Sequence, residues 1–179
     1  MKGIVFNLLE DVVTARHGPD AWPDLIDAAG VGGAYTSLGS YPDDDMVALV
    51  NTAAAVLVQS PADVLRWFGR SAMPLLATRF AHLFASHTHA RSFVGSVNAI
   101  IHPEVRKLYS GAGCPHFHFS DREDGALIIG YHSPRRLCAL AEGFVLGASD
   151  HYGETVAIDH LACMSQGQPL CRLAVRWPA

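Results

Sequence analysis

Three polar side chains in the C-terminal half could together bind a group with two negative charges. Tyr131, Ser133 and Arg135 occupy alternate positions. In an extended segment the side chains alternate between faces, so these three would point the same way. A phenol, a hydroxyl and a guanidinium on one face suit a pair of carboxylates, because arginine can fork onto one of them. The spacing alone fits equally a strand end that runs into a turn at Ser133–Pro134.

A histidine placed before a proline is the second candidate. His102 follows the apolar run from Val97 to Ile101 and precedes Pro103. Proline interrupts helical hydrogen bonding, so the side chain of His102 can be directed at a ligand. The chain has ten histidines, and a histidine on an apolar face is more often satisfied within a core. Taken alone, His102 fits either role.

Three of the four cysteines lie late in the chain and form, with one histidine, a possible metal-binding set. Its members are Cys138, His160, Cys163 and Cys171. Three thiolates and one imidazole match a structural zinc site, which closes the tetrahedron and leaves no position for water. A closed site of this kind argues against a zinc hydrolase. The alternative is that the cysteines are small buried apolar residues.

Two other groups of polar residues are interpreted structurally. His116 and His118 alternate with two phenylalanines, so we expect them to face outward from a strand and assign them no metal. The acids of Asp43–Asp45 are interpreted as the start of a helix, where negative charge is favourable, and not as a metal cluster.

The N-terminal part of the chain has the hydrophobic spacing of helices. Gly and Pro residues separate the predicted segments, and Ser60–Pro61 has the residue types that open a helix. The predicted helices run from Val5 to Val13, from Pro19 to Gly30, from the acids at Asp43 to Leu57, from Pro61 to Phe68 with an end at Gly69, from Leu75 to Ala85, and from Phe93 to Ile101.

After Gly113 the hydrophobic period changes to that of strands. We predict strands around Phe117–Phe119, Leu127–Tyr131, Thr155–Leu161 and Leu170–Trp177, with a helix over Leu137–Leu146. The predicted fold class is α+β: a helical N-terminal lobe followed by a C-terminal lobe with an antiparallel sheet and helices.

Composition restricts the class of protein. The 179 residues are 50% hydrophobic and 17% charged, with a net charge of −4. This composition predicts a folded single domain over residues 1–179 and excludes a disordered chain. No Lys/Arg run favours nucleic acid, and no apolar stretch predicts a membrane span or a signal peptide. We therefore expect a cytoplasmic protein. No nucleophile with a base and no carboxylate pair emerges, so an enzyme is not expected.

The order of several motifs resembles the haem nitric oxide/oxygen binding (H-NOX) family over essentially the whole chain. These motifs are the opening Met1–Val5, the acidic Tyr41–Asp45, His102–Pro103, Pro115 and the Tyr131, Ser133, Arg135 triplet. The resemblance implies that haem b lies between the two lobes, about residues 1–60 and about 61–179. It further implies that His102 is the proximal iron ligand, that the triplet holds the haem propionates, and that Pro115 presses the porphyrin out of plane.

The same resemblance implies which residues line the gas-binding side. In family members that bind oxygen, a tyrosine donates a hydrogen bond to the bound gas, and Leu140 stands at that position here. The other pocket residues implied are Val5, Leu9, Pro74 and Phe144, all without a donor. Oxygen bound to ferrous iron accumulates negative charge that a donor stabilises. A wall without one predicts a sensor that binds NO and CO and excludes O2.

The resemblance also implies how the signal leaves the domain. NO would weaken the bond from the iron to His102, and a separate protein, a histidine kinase or a cyclic-di-GMP enzyme, would respond. No kinase or cyclase segment is found in the chain, so we expect the output to lie on another polypeptide. Some bacterial relatives carry a zinc site like the Cys3His set. Cys114, beside Pro115, is a conceivable iron ligand but is expected to be a small buried thiol.

A module without haem is the competing interpretation. In that case His102 is a core residue, and the domain is a zinc or thiol redox sensor or binds a small organic ligand. Haem content separates the two classes of protein.

Overall fold

The computed structural model describes residues 1–178. Its N-terminal part is helical, as predicted, and each boundary has a local cause. α1 ends at Gly18 and α2 at Gly30, both with positive φ, and α3 begins with three acids that complement the positive end of the helix dipole. The three helices are α1 (Gly3–His17), α2 (Ala21–Ala29) and α3 (Asp43–Leu57).

The next helix, α4 (Pro61–Arg79), is longer than predicted. It opens as expected, because Pro61 follows Ser60 and the Ser60 side chain accepts a hydrogen bond from the Asp63 N–H. The predicted end at Gly69 is wrong: a side chain there would meet the backbone of α8 (Cys138–His151), so glycine serves close helix packing. Gly143 and Gly147 of α8 approach the α4 backbone in the same way. α4 and α8 therefore touch backbone to backbone.

The segment that carries His102 is not one regular helix. α5 (Ala81–Phe84) and α6 (Ala90–Gly95) are short, and a π-helical segment, Val97–Ile101, follows α6. α7 (His102–Leu108) begins at the histidine itself. The predicted helix over Phe93–Ile101 is therefore divided, and the irregularity expected before Pro103 takes the form of a π turn.

The C-terminal part is a four-stranded antiparallel sheet against which α8 packs, which confirms the predicted α+β class. The strand order is β1-β2-β4-β3, so β1 and β3 are the edges. The strands are β1 (His116–Asp121), β2 (Leu127–His132), β3 (Ala157–Ala162) and β4 (Cys171–Arg176).

Two hydrophobic clusters hold these elements together. One joins α1, α2 and α3 to α4 and the first turn of α8, and the other lies between the sheet, α8 and the short helices. Among residues 1–178, no single helix is long and apolar enough to cross a membrane. α3 and α4 reach that length and composition only together, and they are bent by 105°.

Candidate functional site

An apolar cavity of about 340 Å³ lies where the two hydrophobic clusters meet the sheet. This volume is in the range of pockets for small molecules and cofactors. The cavity brings together most of the residues singled out in the sequence. They are Val5, His102, Pro115, Tyr131, Ser133, Arg135, Leu140 and Phe144.

His102 supplies a metal-ligating group to this cavity. Its position at the start of α7 follows the π turn, and its ring lies 5.8 Å from that of Phe117 on β1. Burial, with smaller contributions from Arg106 and His116, lowers the pKa of His102 to about 4. The imidazole is therefore neutral at pH 7, which is the form that binds metals. Its Nδ1 is buried without a hydrogen-bond partner among the described residues.

Tyr131 and Ser133 contribute two hydroxyl groups to the cavity lining. Tyr131 is buried near the end of β2, and its oxygen accepts a hydrogen bond from the Leu137 N–H at 3.0 Å. Burial raises the pKa of this phenol, so it remains a donor. β2 ends at His132, so Ser133 and Arg135 lie in the following turn. Of the two geometries that the spacing allowed, the structure has the strand end that runs into a turn, and all three side chains line the cavity.

Arg135 contacts the opposite part of the chain. Its Nε donates to Asp43 Oδ1 at 2.9 Å, and its Nη1 donates to the Gly113 carbonyl. The same Asp43 oxygen lies 2.8 Å from the N-terminal ammonium of Met1. Burial opposes ionisation of Asp43, but hydrogen bonds from the ammonium and Arg135 outweigh it and lower its pKa. A guanidinium has five N–H donors, so these contacts leave donors for a further carboxylate.

Asp43 stands at the start of α3, as its sequence context predicts, but its partner was not foreseen. Nothing in local spacing connects Asp43 to Arg135, because 92 residues separate them. Many other cavity residues were also missed, Met1 and Tyr109 among them. Only their position in the folded chain identifies them.

Two residues expected in the pocket do not reach it. Leu9 is buried in the cluster between the N-terminal helices, and Pro74 lines a separate shallow depression between α1 and α4. Both lie on helices that also contribute cavity residues, Leu8 on α1 and Met73 on α4. Adjacent positions of a helix point about 100° apart, so the resemblance identified the helix but not the face.

The remaining predicted residues of the wall are apolar. Val5, Leu140 and Phe144 offer no hydrogen-bond donor. Cys114 also lines the cavity and is only partly buried, and burial raises the pKa of its thiol. It is therefore a neutral thiol at pH 7. His116 and His118 are exposed on the outer side of β1, as the alternation predicts.

A second site lies beside Tyr131, which pairs with Cys171 across β2 and β4 and packs with Cys138. Cys138 begins α8, His160 lies in β3, Cys163 follows β3, and Cys171 begins β4. One ligand atom from each lies within 4.8 Å of the others. The Sγ atoms of Cys138 and Cys163 are 3.8 Å apart. The structure therefore brings together the four residues that the sequence proposed as one set, in a group that could hold a metal ion.

The environment of these thiols differs. Burial, together with Cys171, raises the pKa of Cys138. At Cys163 burial acts in the same direction, but hydrogen bonds from Ser165 and the other thiols lower its pKa overall. A buried carboxylate that the sequence did not reveal, Glu142, lies beside the set, 3.9 Å from His160 Nδ1 and 3.0 Å from Arg66 Nε.

Comparison with known proteins adds independent evidence. The sequence model of the family described as "Haem-NO-binding" matches residues 2–160. An H-NOX protein from S. oneidensis in the Fe(II)NO ligation state is 33% identical, with 100% of both chains covered and a TM-score of 0.93. An H-NOX domain from Shewanella oneidensis in the Fe(II)CO state is also 33% identical, with 99% of both chains covered and a TM-score of 0.89.

A more distant relative shares the fold. The Fe(II) unliganded H-NOX protein from K. algicida is 22% identical, with a TM-score of 0.85 over 100% of this chain and 97% of that one.

Proposed function

The chain belongs to the haem-NO-binding (H-NOX) family of gas sensors, and from this we propose that it is a haem b sensor of nitric oxide. The observation that carries the proposal is one neutral, half-buried imidazole, His102, in an apolar cavity that two hydroxyls and a guanidinium also line. A haem has an apolar ring, a metal and two carboxylates, and this cavity offers a counterpart to each.

His102 is the proposed proximal ligand of the iron. The unpartnered Nδ1 shows that the ring is not satisfied by the protein alone, which is unusual for a histidine that only fills a core. When bound, haem would supply ferrous iron, which binds NO and CO. We assign the contact that presses on the porphyrin to Pro115, which lines the cavity beside β1.

Tyr131, Ser133 and Arg135 are the proposed propionate ligands. Hydroxyl donors and a guanidinium in the lining of an apolar pocket are suited to bind carboxylates. Because Arg135 already pairs with Asp43, a propionate held here would be connected to the start of α3.

The apolar wall is the proposed basis of gas selectivity. Val5, Leu140 and Phe144 have no group that could donate to bound O2. NO and CO need no such donor, since they carry less negative charge when bound. We therefore propose that the protein binds NO and CO and excludes O2.

The proposed output is a change in His102. His102 would hold the haem iron, and binding of NO there would weaken the bond to His102. The helix that bears His102 would then be free to move relative to the N-terminal helices. In this proposal residues 1–60 and residues 61–179 form the two halves that shift. The receiver is a separate histidine kinase or cyclic-di-GMP enzyme in the cytoplasm, and the domain itself has no catalytic activity.

Absorption spectra of the ferrous protein test the proposal. Under argon we expect an intense haem band, with NO a five-coordinate nitrosyl spectrum, and in air no stable oxygen spectrum. His102→Gly should lose the band unless imidazole is added, whereas His118→Gly, which removes an exposed histidine, should retain it. A His102→Gly protein with an unchanged ferrous spectrum and no imidazole would refute the ligand assignment.

We further propose that the Cys3His set holds a structural zinc ion. The four ligand atoms are close enough to meet at one tetrahedral centre, and they come from α8, β3 and β4. Elemental analysis should find one zinc per chain in the wild type and in Cys114→Ser. Cys171→Ser should lose it, and unchanged zinc content in that variant would exclude the site.

If neither haem nor its spectrum is obtained under conditions of ample haem supply, the alternative function takes precedence. In that case the cavity is the pocket of a small-ligand module, or the Cys3His set is the centre of a thiol redox sensor.

A further inference from the structure

The side chain of Asn98 hydrogen-bonds the π-helical segment before His102 to the sheet. Its Nδ2 donates to the Phe117 carbonyl at 2.6 Å, and its Oδ1 accepts from the Phe117 N–H at 3.3 Å. β1 is an edge strand, so these backbone groups of Phe117 have no strand partner on that side. The amide of Asn98 takes the place of a neighbouring strand there.

We propose that Asn98 is the fixed point about which α7 turns, and that it positions His102 for iron through Phe117. This inference rests on the proposed haem function. Asn98 lies four residues before His102, about one helical turn. Phe117 contacts both residues: its backbone pairs with Asn98, and its ring packs near the ring of His102. Asn98 is thus a positioning residue, and His102 alone touches the iron.

The chain before Asn98 is held in place. At the N-terminus of α6 the Ala90 N–H donates to the Glu154 carboxylate at 2.9 Å. Arg91 pairs with Asp121 and donates to the Gly125 carbonyl, which ties α6 to the β1–β2 hairpin. α6 also packs on α8. From Ala90 to Asn98, therefore, the segment is fixed to the rest of the C-terminal part.

The chain after Asn98 is held weakly. None of the residues of α7 is fully buried, and its main packing partner is the π segment itself. Within the described residues, the side-chain hydrogen bond of α7 is internal, from Lys107 to Glu104. Its bond to iron would thus be the main attachment of α7 when haem is present. Loss of that bond would free α7 but leave α6 in place.

The π turn suits a hinge at this position. A π-helical turn contains one residue more than an α-helical turn and is strained unless other contacts support it. The two hydrogen bonds to Phe117 provide such support. We therefore expect that removing them lets α7 move without NO and weakens the bond between His102 and the iron.

Hydrogen exchange tests the fixed point without haem. In apo-protein we expect Asn98→Ala to raise exchange of the amides of residues 97–108 about tenfold, with those of residues 90–95 unchanged. Asn98→Asp keeps the size and the acceptor but places a carboxylate oxygen against the Phe117 carbonyl, so its effect should be at least as large as that of Asn98→Ala. Ile100→Ala, which alters an exposed residue of the same segment, is the matched control. Equal exchange in Asn98→Ala and wild type would overturn the proposal.

Vibrational spectroscopy tests the positioning of His102 in the ferrous haem protein. The iron–histidine stretching frequency should fall in Asn98→Ala, and less NO should be needed to produce the five-coordinate nitrosyl. Ile100→Ala should leave both values as in the wild type. An unchanged frequency in Asn98→Ala would refute a positioning role. If the wild type binds no haem, the proposed function fails, whereas the exchange measurement still decides whether Asn98 fixes the segment.

Discussion

Asp43, the first residue of α3, forms an ion pair with Arg135 across 92 residues of sequence, with 2.9 Å between carboxylate oxygen and guanidinium nitrogen. The same carboxylate binds the N-terminal ammonium, so three distant parts of the chain meet at one oxygen. This contact joins the N-terminal helices to the turn that carries the proposed propionate ligands.

Replacing Asp43 tests how much this contact contributes. Asp43→Asn should lower the free energy of unfolding by about 0.5–1 kcal/mol at pH 7, because exposed ion pairs contribute little each. Folding lowers the pKa of Asp43, so its contribution is present above the usual carboxyl pKa of about 4 and is lost as the pH falls below it. Denaturant unfolding at several pH values measures both effects.

The control for this variant is Asp44→Asn, which changes the adjacent exposed acid. The stability difference between wild type and Asp43→Asn should shrink on acidification, whereas Asp44→Asn should stay near the wild type throughout. Equal stability of all three proteins at pH 7 would show that the contact contributes nothing measurable.

The absence of a hydrogen-bond donor on Val5, Leu140 and Phe144 leads to a prediction about oxygen binding. Leu140→Tyr places a hydroxyl in the cavity, and the ferrous protein should then hold O2 in air. Leu140→Phe adds a ring of nearly the same size without the hydroxyl and should not. Both variants should lose about 1–3 kcal/mol of stability from overpacking. Absorption spectra in air distinguish them, and O2 binding by the phenylalanine variant would show that shape, not a donor, decides selectivity.

Removing metal should weaken the connection between α8 and the sheet. A zinc ion on the Cys3His set would cross-link α8 to β3 and β4, so a chelator should lower the melting temperature of the wild type by at least about 5 °C. Cys114→Ser should respond equally, because Cys114 lies outside the set. Cys171→Ser should melt lower from the outset and show no further response, and a chelator effect in this variant would contradict the assignment.

Replacing Val58 should increase the stability of the protein. This residue follows α3 with φ of 53° and is 91% exposed. A β-branched side chain is strained in the left-handed region, where glycine is the usual residue. Val58→Gly should therefore stabilise the protein by about 0.5–1 kcal/mol, after the greater freedom of glycine in the unfolded chain is included.

The control for Val58→Gly is Val56→Gly, which lies two residues earlier inside α3 and is also exposed. There glycine should destabilise by up to about 0.5 kcal/mol, because the helix disfavours it. Thermal unfolding of the pair separates backbone strain from side-chain loss, and a loss of stability in both would show that Val58 is not strained.

Local patterns predicted much of the fold because they are set by local physics. The strand around Phe117 follows from period two and the strand around Ile129 from its β-rich composition. α3 follows from its acids and its apolar spacing. Gly69 shows where this reasoning fails: low helix propensity suggested an end, yet the helix continues, because the position must accept the backbone of α8.

The sequence predicted those site residues whose own side-chain chemistry is distinctive. It did not predict residues whose role depends on a partner far away in the chain. His102, the triplet and the Cys3His set were named from residue types and spacing together with a family resemblance. In the structure His102 and the triplet line one cavity, and the Cys3His residues lie together in a second site. Leu9 and Pro74 were misplaced because the side of a helix that meets a cavity depends on tertiary packing. Nothing in the sequence pointed to Asn98, because asparagine is a common residue and its partner is the backbone of Phe117.

The glycines between α4 and α8 have a mechanical consequence. Where backbone meets backbone, no layer of side chains can compress or change rotamer to absorb a displacement. We therefore expect the two helices to move together. Leu140 and Phe144 on α8 face the cavity, so a displacement of these residues should also displace α4.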